Sequence, residues 1–236
     1  MNKTRIEWTE KTWNPITGCT QISEGCQNCY AKTMAHRLKA MGNPRYENEF
    51  KVTVHKDLFD LPLKSKKPSV IFVCSMSDLF HEKVSYKVIK EIFDIMEKAN
   101  WHIFQVLTKR PDRLLEFSKQ NSIPDNVWIG TSLELKKYES RVKILRKVKA
   151  KTKFLSCEPL LGSLKSVNFK GIDWVVVGGE SGHNARPVEE EWLIELRDIC
   201  KDEKIAFFFK QWGGWNKKKN GHMLKGKEYK QMPKYD

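Results

Sequence analysis

The chain has 236 residues, 40% of them hydrophobic and 31% charged, with a formal net charge of +14. That length allows one domain with a sizeable core, and the composition excludes a disordered or fibrous chain. No apolar run approaches membrane-spanning length, and residues 1–5 lead into polar sequence rather than a signal-type apolar stretch, so a soluble, cytoplasmic protein with no membrane partner is expected. So positive a balance favours nucleic acid or another polyanion as partner, although a solvated lysine-rich surface gives the same sum.

In chain order, residues 12–17 read as a first strand. A loop rich in Gly, Ser and Asn follows and carries Cys19, Cys26 and Cys29, with six residues between the first pair and two between the second. Tyr30, Met34 and Leu38 predict a helix from Cys29 to about Met41, stopped by Gly42-Asn43-Pro44. Residues 50–54 suggest a short strand, and 64–68 an exposed link. A regular rhythm then begins. Short continuous apolar runs at 70–74, 102–107, 127–130, 153–157, 174–177 and 205–209 read as strands buried on both faces. Most are followed by helical or connecting segments, at 84–99, after Pro111, from Glu134 to about Val148, and at 189–201. With the first strand this makes about seven parallel strands, the arithmetic of a partial or complete TIM-type (β/α) barrel; a doubly wound sheet is the competitor. Nearly every run ends in polar residues, as in barrels whose sites sit at the C-terminal strand ends. The barrel is expected over residues 1–212. Residues 213–236, with seven lysines against Glu228 and Asp236, read as a basic surface extension with little core of its own.

Three clustered cysteines in an intracellular chain point to metal rather than disulfide chemistry. Cys74, Cys157 and Cys200 stand in apolar strings and read as buried small hydrophobes. A structural zinc usually takes four protein ligands. His36 is the available fourth, but it lies seven helical residues beyond Cys29, about 10 Å along the axis. A [4Fe–4S] cluster on three thiolates leaves one iron open. Zinc and iron–sulfur both stand on the spacing alone.

A three-cysteine loop directly after the first strand of an α/β barrel resembles the radical SAM superfamily. More narrowly, Cys29-Tyr30-Ala31, residues 75–80 (Ser-Met-Ser-Asp-Leu-Phe), 107–111 (Leu-Thr-Lys-Arg-Pro), 157–160 (Cys-Glu-Pro-Leu) and 178–182 (Gly-Gly-Glu-Ser-Gly) are similar to a phage- and mobile-element-associated three-cysteine-motif family of poorly assigned function. That match spans roughly residues 5–215. The superfamily resemblance implies a radical-SAM-like barrel. Cys19, Cys26 and Cys29 would bind a [4Fe–4S] cluster, S-adenosylmethionine would ligate its fourth iron, and an external electron donor would drive cleavage to a 5′-deoxyadenosyl radical. The chain departs from the usual superfamily spacing, which has three residues between the first two cysteines.

The resemblance also implies a cofactor-binding set. Ser132 and Glu134 would meet ribose hydroxyls and Arg141 the methionine carboxylate, although Ser132 and Glu134 equally suit helix capping. Ser75, Ser77 and Asp78 occupy the position that receives the amino group of S-adenosylmethionine. Gly178, Gly179 and Glu180 suit a close approach to cofactor or substrate, or a tight strand-to-loop turn. Glu158 is expected to aim into a polar pocket. For nucleic acid, Lys109 and Arg110 could face an anionic substrate. Lys136, Lys137, Lys143 and Lys147 line a helix whose apolar stripe is Leu135, Tyr138, Val142, Leu145 and Val148. Trp212 and Trp215 stand beside a lysine run and suit base stacking, with a core role for Trp212 the alternative. The leading expectation is a radical SAM enzyme that modifies or repairs nucleic acid. The alternatives are a zinc-stabilised, non-enzymatic nucleic-acid-binding protein of a mobile element and, more weakly, a metal-independent hydrolase on the same barrel. Substrate identity and oligomeric state are not readable from the sequence.

Overall fold

The computed structural model describes residues 1–234. Its frame is an eight-stranded sheet in the order β1 (Asn2–Lys3), β2 (Lys11–Trp13), β5 (Val70–Val73), β6 (Ile103–Thr108), β7 (Val127–Ser132), β8 (Lys153–Cys157), β9 (Trp174–Gly178) and β10 (Ala206–Gln211). Only β1 runs antiparallel; the other seven are parallel and follow one another in sequence order. The sheet curls into a partial barrel, and among the described residues β2 and β10 do not pair to close it. The expected strand at 12–17 is divided. Pro15 lacks an N–H and interrupts the ladder, so β2 stays in the main sheet, while β3 (Ile16–Thr17) turns away to pair with β4 (Thr53–Val54).

Strand alternation sorts the apolar residues into two layers. Val175, Val177, Phe207 and Phe209 point outward into a core shared with α3 (Tyr86–Lys98), α4 (Pro111–Ser118), α5 (Glu139–Leu145) and α6 (Glu190–Asp202). Phe72, Trp128, Phe154, Trp174, Val176 and Phe208 point inward and are joined by Trp8, which precedes β2. Trp8 packs at 4.7 Å from Phe72 and edge-on to Trp174 at 5.9 Å. The concave side thus has a filled aromatic floor, with open space only toward the C-terminal strand ends.

The predicted helix after Cys29 is α1 (Tyr30–Ala40), and the segment after Glu134 forms a short 3-10 turn and then α5. Two four-residue helices, α2 (Leu61–Lys64) and α7 (Lys217–Asn220), lie in the connections. The tail is more firmly held than its composition suggested. Leu224 is fully buried, Phe209 N donates to Tyr229 O at 2.9 Å, Gln231 N donates to Phe207 O at 3.2 Å, and Trp174 Nε1 donates to Gln231 O at 2.9 Å. These bonds cover the free edge of β10, which would otherwise expose unpaired backbone groups.

Candidate functional site

The strand ends and the cysteine loop enclose a cavity of about 410 Å3. Cys19, Cys26 and Cys29 all line it, as do Ser75, Ser77, Asp78, Lys109, Arg110, Ser132, Glu158, Gly179 and Glu180. Cys19 follows β3, Cys26 ends a 3-10 turn (Glu24–Cys26), and Cys29 stands immediately before α1. None of the three is fully buried.

Three strand-end carboxylates hold this loop through three cations. After β5, Asp78 Oδ2 accepts from Arg110 Nη1 at 3.0 Å, and Arg110 reaches Cys19 Sγ at 3.7 Å and Thr20 Oγ1 at 3.0 Å. After β7, Glu134 pairs with Lys109, which reaches Cys26 Sγ at 3.5 Å and Ser23 Oγ at 3.2 Å. After β9, Glu180 pairs with Arg186 at 2.5 Å, and Arg186 Nη2 donates to Glu24 O at 3.0 Å. Glu180 also accepts from Asn28 Nδ2 at 2.9 Å, next to Cys29. The cations leave their mark on the thiols. Burial and Asp78 push Cys19 up to about 11 against the pull of Arg110. Burial also acts to raise Cys26, but Lys109 and hydrogen bonds around Ser23 outweigh it and hold that thiol below its ordinary value.

Zinc and an iron–sulfur cluster make different demands on a set of thiols. Among the described residues, no three His, Cys, Asp or Glu side chains gather closely enough to share one ion. Zinc binds all its sulfurs at about 2.3 Å from a single centre, whereas the irons of a cubane each take a separate thiolate. His36 is exposed and lies 3.9 Å from Glu49, not beside the cysteines. Three soft thiol donors stand around one cavity, and among the described residues no fourth His, Cys, Asp or Glu gathers with them.

Several expected site residues are engaged by other protein groups. Lys109 and Arg110 line the cavity and bond the cysteine loop. Glu134 and Arg141 do not line the cavity; they bind each other at 2.8 Å, and Arg141 Nη1 also donates to Ser132 O at 3.1 Å. A carboxylate has about four acceptor sites. Those of Asp78 are taken, two on each oxygen, by Phe80 N, Thr108 Oγ1, Lys109 N and Arg110 Nη1. On Glu180, Oε2 takes Asn28 Nδ2 and the N and Nε of Arg186, while Oε1 accepts only from Arg186 Nη2 and keeps one acceptor site. Gly178 lies off the cavity, and the close approach that requires Gly179 is to protein: a Cβ there would stand 2.0 Å from Trp212 O. Trp212 packs edge-on against Phe209 at 5.3 Å and donates to Met223 O at 2.8 Å, which is the core alternative.

The lysines of the α5 segment and Trp215 stand apart from the cavity. Lys137 pairs with Glu24, Lys143 with Glu139 at 3.5 Å, and Lys136 bonds Ser166 O at 3.2 Å. Lys147 is exposed, and Trp215 is 75% exposed with His183 edge-on at 4.8 Å. Sequence reasoning missed Arg186, Asn28, Trp8 and Lys210. Lys210 carried a usable signal, a charged residue ending a buried strand; Arg186 carried none, since it lies in an irregular loop.

The fold and site define a partial parallel barrel with a clamped three-cysteine loop on its C-terminal rim. The chain belongs to the family described as "Protein of unknown function (DUF5131)", whose model matches residues 3–233. No curated protein matches it. Among solved structures it is similar to spore photoproduct lyase. A cysteine-to-serine mutant gives a TM-score of 0.53 at 13% identity, covering 86% of this chain and 75% of that chain. A tyrosine-to-phenylalanine mutant gives 0.53 at 12% identity, covering 87% and 77%. A double mutant with bound AdoMet and dinucleoside spore photoproduct gives 0.51 at 13% identity; the match covers 75% of this chain but only 57% of that one. At such identities the likeness concerns the fold.

Proposed function

We propose that this protein is a radical SAM-like enzyme acting on nucleic acid. Cys19, Cys26 and Cys29 would hold a [4Fe–4S] cluster and S-adenosylmethionine would occupy the adjoining cavity. The observation that carries the reading is that all three cysteines line a single cavity at the C-terminal strand ends of a radical-SAM-like partial barrel. When bound, the cluster and S-adenosylmethionine would supply radical chemistry, with the electron coming from an external donor. The protein's own part is to orient and enclose. Arg110, Lys109 and Arg186 fix the loop, and the aromatic floor seals the barrel beneath. With Asp78 filled and Glu134 and Arg141 off the cavity, the groups that would meet S-adenosylmethionine are the hydroxyl of Ser132, Glu180 Oε1, the backbone around Gly179, and Ser75 and Ser77 as acceptors, since their hydroxyls already donate to Asn14 Oδ1 and Gly18 O. A substrate of nucleic acid is supported by the charge of +14 and by exposed Trp215 and Lys147. The bound dinucleoside of the similar lyase structure supports the same reading. Modification or lesion repair, and an association with phages or mobile elements, belong to the same proposal.

Anaerobic purification with iron and sulfide quantification tests it. About four irons and four sulfides per chain are expected from the cluster stoichiometry, with reductant-dependent cleavage of S-adenosylmethionine. One tightly bound zinc and no sulfide would sink the reading.

A further inference from the structure

One ion pair on the concave face takes no part in holding the loop. Lys210, in β10, pairs with Glu158 Oε2 at 2.5 Å, and their side chains are only 19% and 14% exposed. Glu158 Oε1 accepts from Trp8 Nε1 at 3.1 Å and from Ser156 Oγ at 3.4 Å, so the carboxylate is fixed in direction. Glu158, Lys210, Trp8, Phe72 and Ser156 line the same cavity as the three cysteines. An ammonium carries three protons, and Glu158 takes one of those of Lys210.

We propose that Lys210 and Glu158 read the hydrogen-bonding edge of an unstacked nucleobase that enters the barrel and lies against Trp8 and Phe72. This rests on the reading of nucleic acid as substrate and adds where and how its base is held. The chemistry selects a flat ring with a donor beside an acceptor. Lys210 can only donate and Glu158, ionised, can only accept, while the buried rings of Trp8 and Phe72 border the cavity with an apolar edge. Every nucleobase presents such an adjacent pair, and hydrogen bonds to that edge inside a pocket are how extruded bases are read. A cavity of about 410 Å3 inside a barrel is too small for a duplex, so the base must leave its stack to reach Lys210 and Glu158.

The experiment compares binding of a fluorescent single-stranded oligonucleotide with that of the same strand carrying abasic sites. It uses the full chain and titrates salt. The native protein should prefer the intact strand by about tenfold, the scale of one charge-assisted hydrogen bond. The double variant E158Q/K210M leaves no unpaired charge in the barrel and should lose most of that preference while keeping its salt dependence. E158Q alone, which retains the hydrogen bond from Trp8 with an amide oxygen, should show a smaller loss and serves if the double variant does not fold. A base preference unchanged in both variants overturns the proposal, as does a native protein that binds both strands equally. Failure to bind any oligonucleotide removes the nucleic acid reading and this inference with it. Iron, sulfide and S-adenosylmethionine cleavage are measured separately and locate the failure.

Discussion

Asp78 and Glu134 each sit between a strand end and a cation that touches a cysteine, so their loss propagates to the loop. Asp78→Ala would leave Arg110, itself 9% exposed in its side chain, with only the more exposed Glu82, at 2.8 Å, as its carboxylate. Breaking a buried pair outright costs about 3–5 kcal/mol; with Glu82 still in place, urea unfolding should show a loss at or below the lower end of that range. Glu134 makes a pH-dependent contribution. Burial opposes its ionisation, but Lys109 and Arg141 prevail and hold its folded-state pKa below the ordinary 4.5. A depressed folded value means that the contribution is fully present above 4.5 and is lost as pH falls through the folded value. The stability difference between native protein and Glu134→Gln should therefore be constant at neutral pH and shrink in acid, as denaturant midpoints taken between pH 7 and pH 3 would show. A difference that grew in acid would contradict the assignment. The cysteines themselves were legible at this scale because ligand chemistry is local: three thiols in eleven residues need no fold to be noticed. Arg186 was not, because its meaning depends on Glu180 and Glu24 arriving from other parts of the chain.

At the scale of elements, the parallel strands announced themselves as apolar runs because both faces of each strand are covered. The rim could be guessed from the polar residues that end them. What the sequence left open was direction. Lys109 and Arg110 look the same in sequence whether they turn toward solvent or toward a loop contributed by residues 19–29. Two glycines show how closely the elements meet. A Cβ at Gly25 would lie 2.4 Å from Glu134 Oε1, and one at Gly179 would lie 2.0 Å from Trp212 O. Overpacking of this kind costs about 1–3 kcal/mol. Gly25→Ala is expected to push the loop off Glu134 and reduce iron retention after reconstitution, whereas Gly179→Ala should chiefly lower the melting temperature. Equal iron retention in Gly25→Ala and the native protein would separate the loop from its carboxylate anchor. Truncation after Gly213 removes the backbone partners of Phe207 and Phe209 and bares the edge of β10. Light scattering should then show more aggregation for the truncated chain than for the full one.

For the molecule as a whole, the formal charge of +14 is the feature most open to a direct test. Counterion release gives log K a slope against log salt of about −0.7 per phosphate contact on single strands. Substituting exposed Lys147 by Glu should make oligonucleotide binding weaker and shallower in salt by about one contact's worth, measured by anisotropy from low to moderate salt. An unchanged slope would assign that charge to simple solvation. Trp215 belongs to the same surface: Trp215→Ala should weaken binding with little change in slope, because stacking is not ionic.

The sequence by itself determined the number and parallel sense of the main strands, the place of the cysteine loop among them, and the surplus of positive charge. These follow from periodicity, spacing and composition, which act within a few residues. Only the tertiary structure decided that the barrel stays open, that the tail seals its edge, and that three carboxylate–cation pairs clamp the loop. It also brought Lys210 to Glu158 above a floor completed by Trp8. Each of those is a meeting of segments distant in the chain, chosen by the need to pair buried charges and backbone groups once water is excluded.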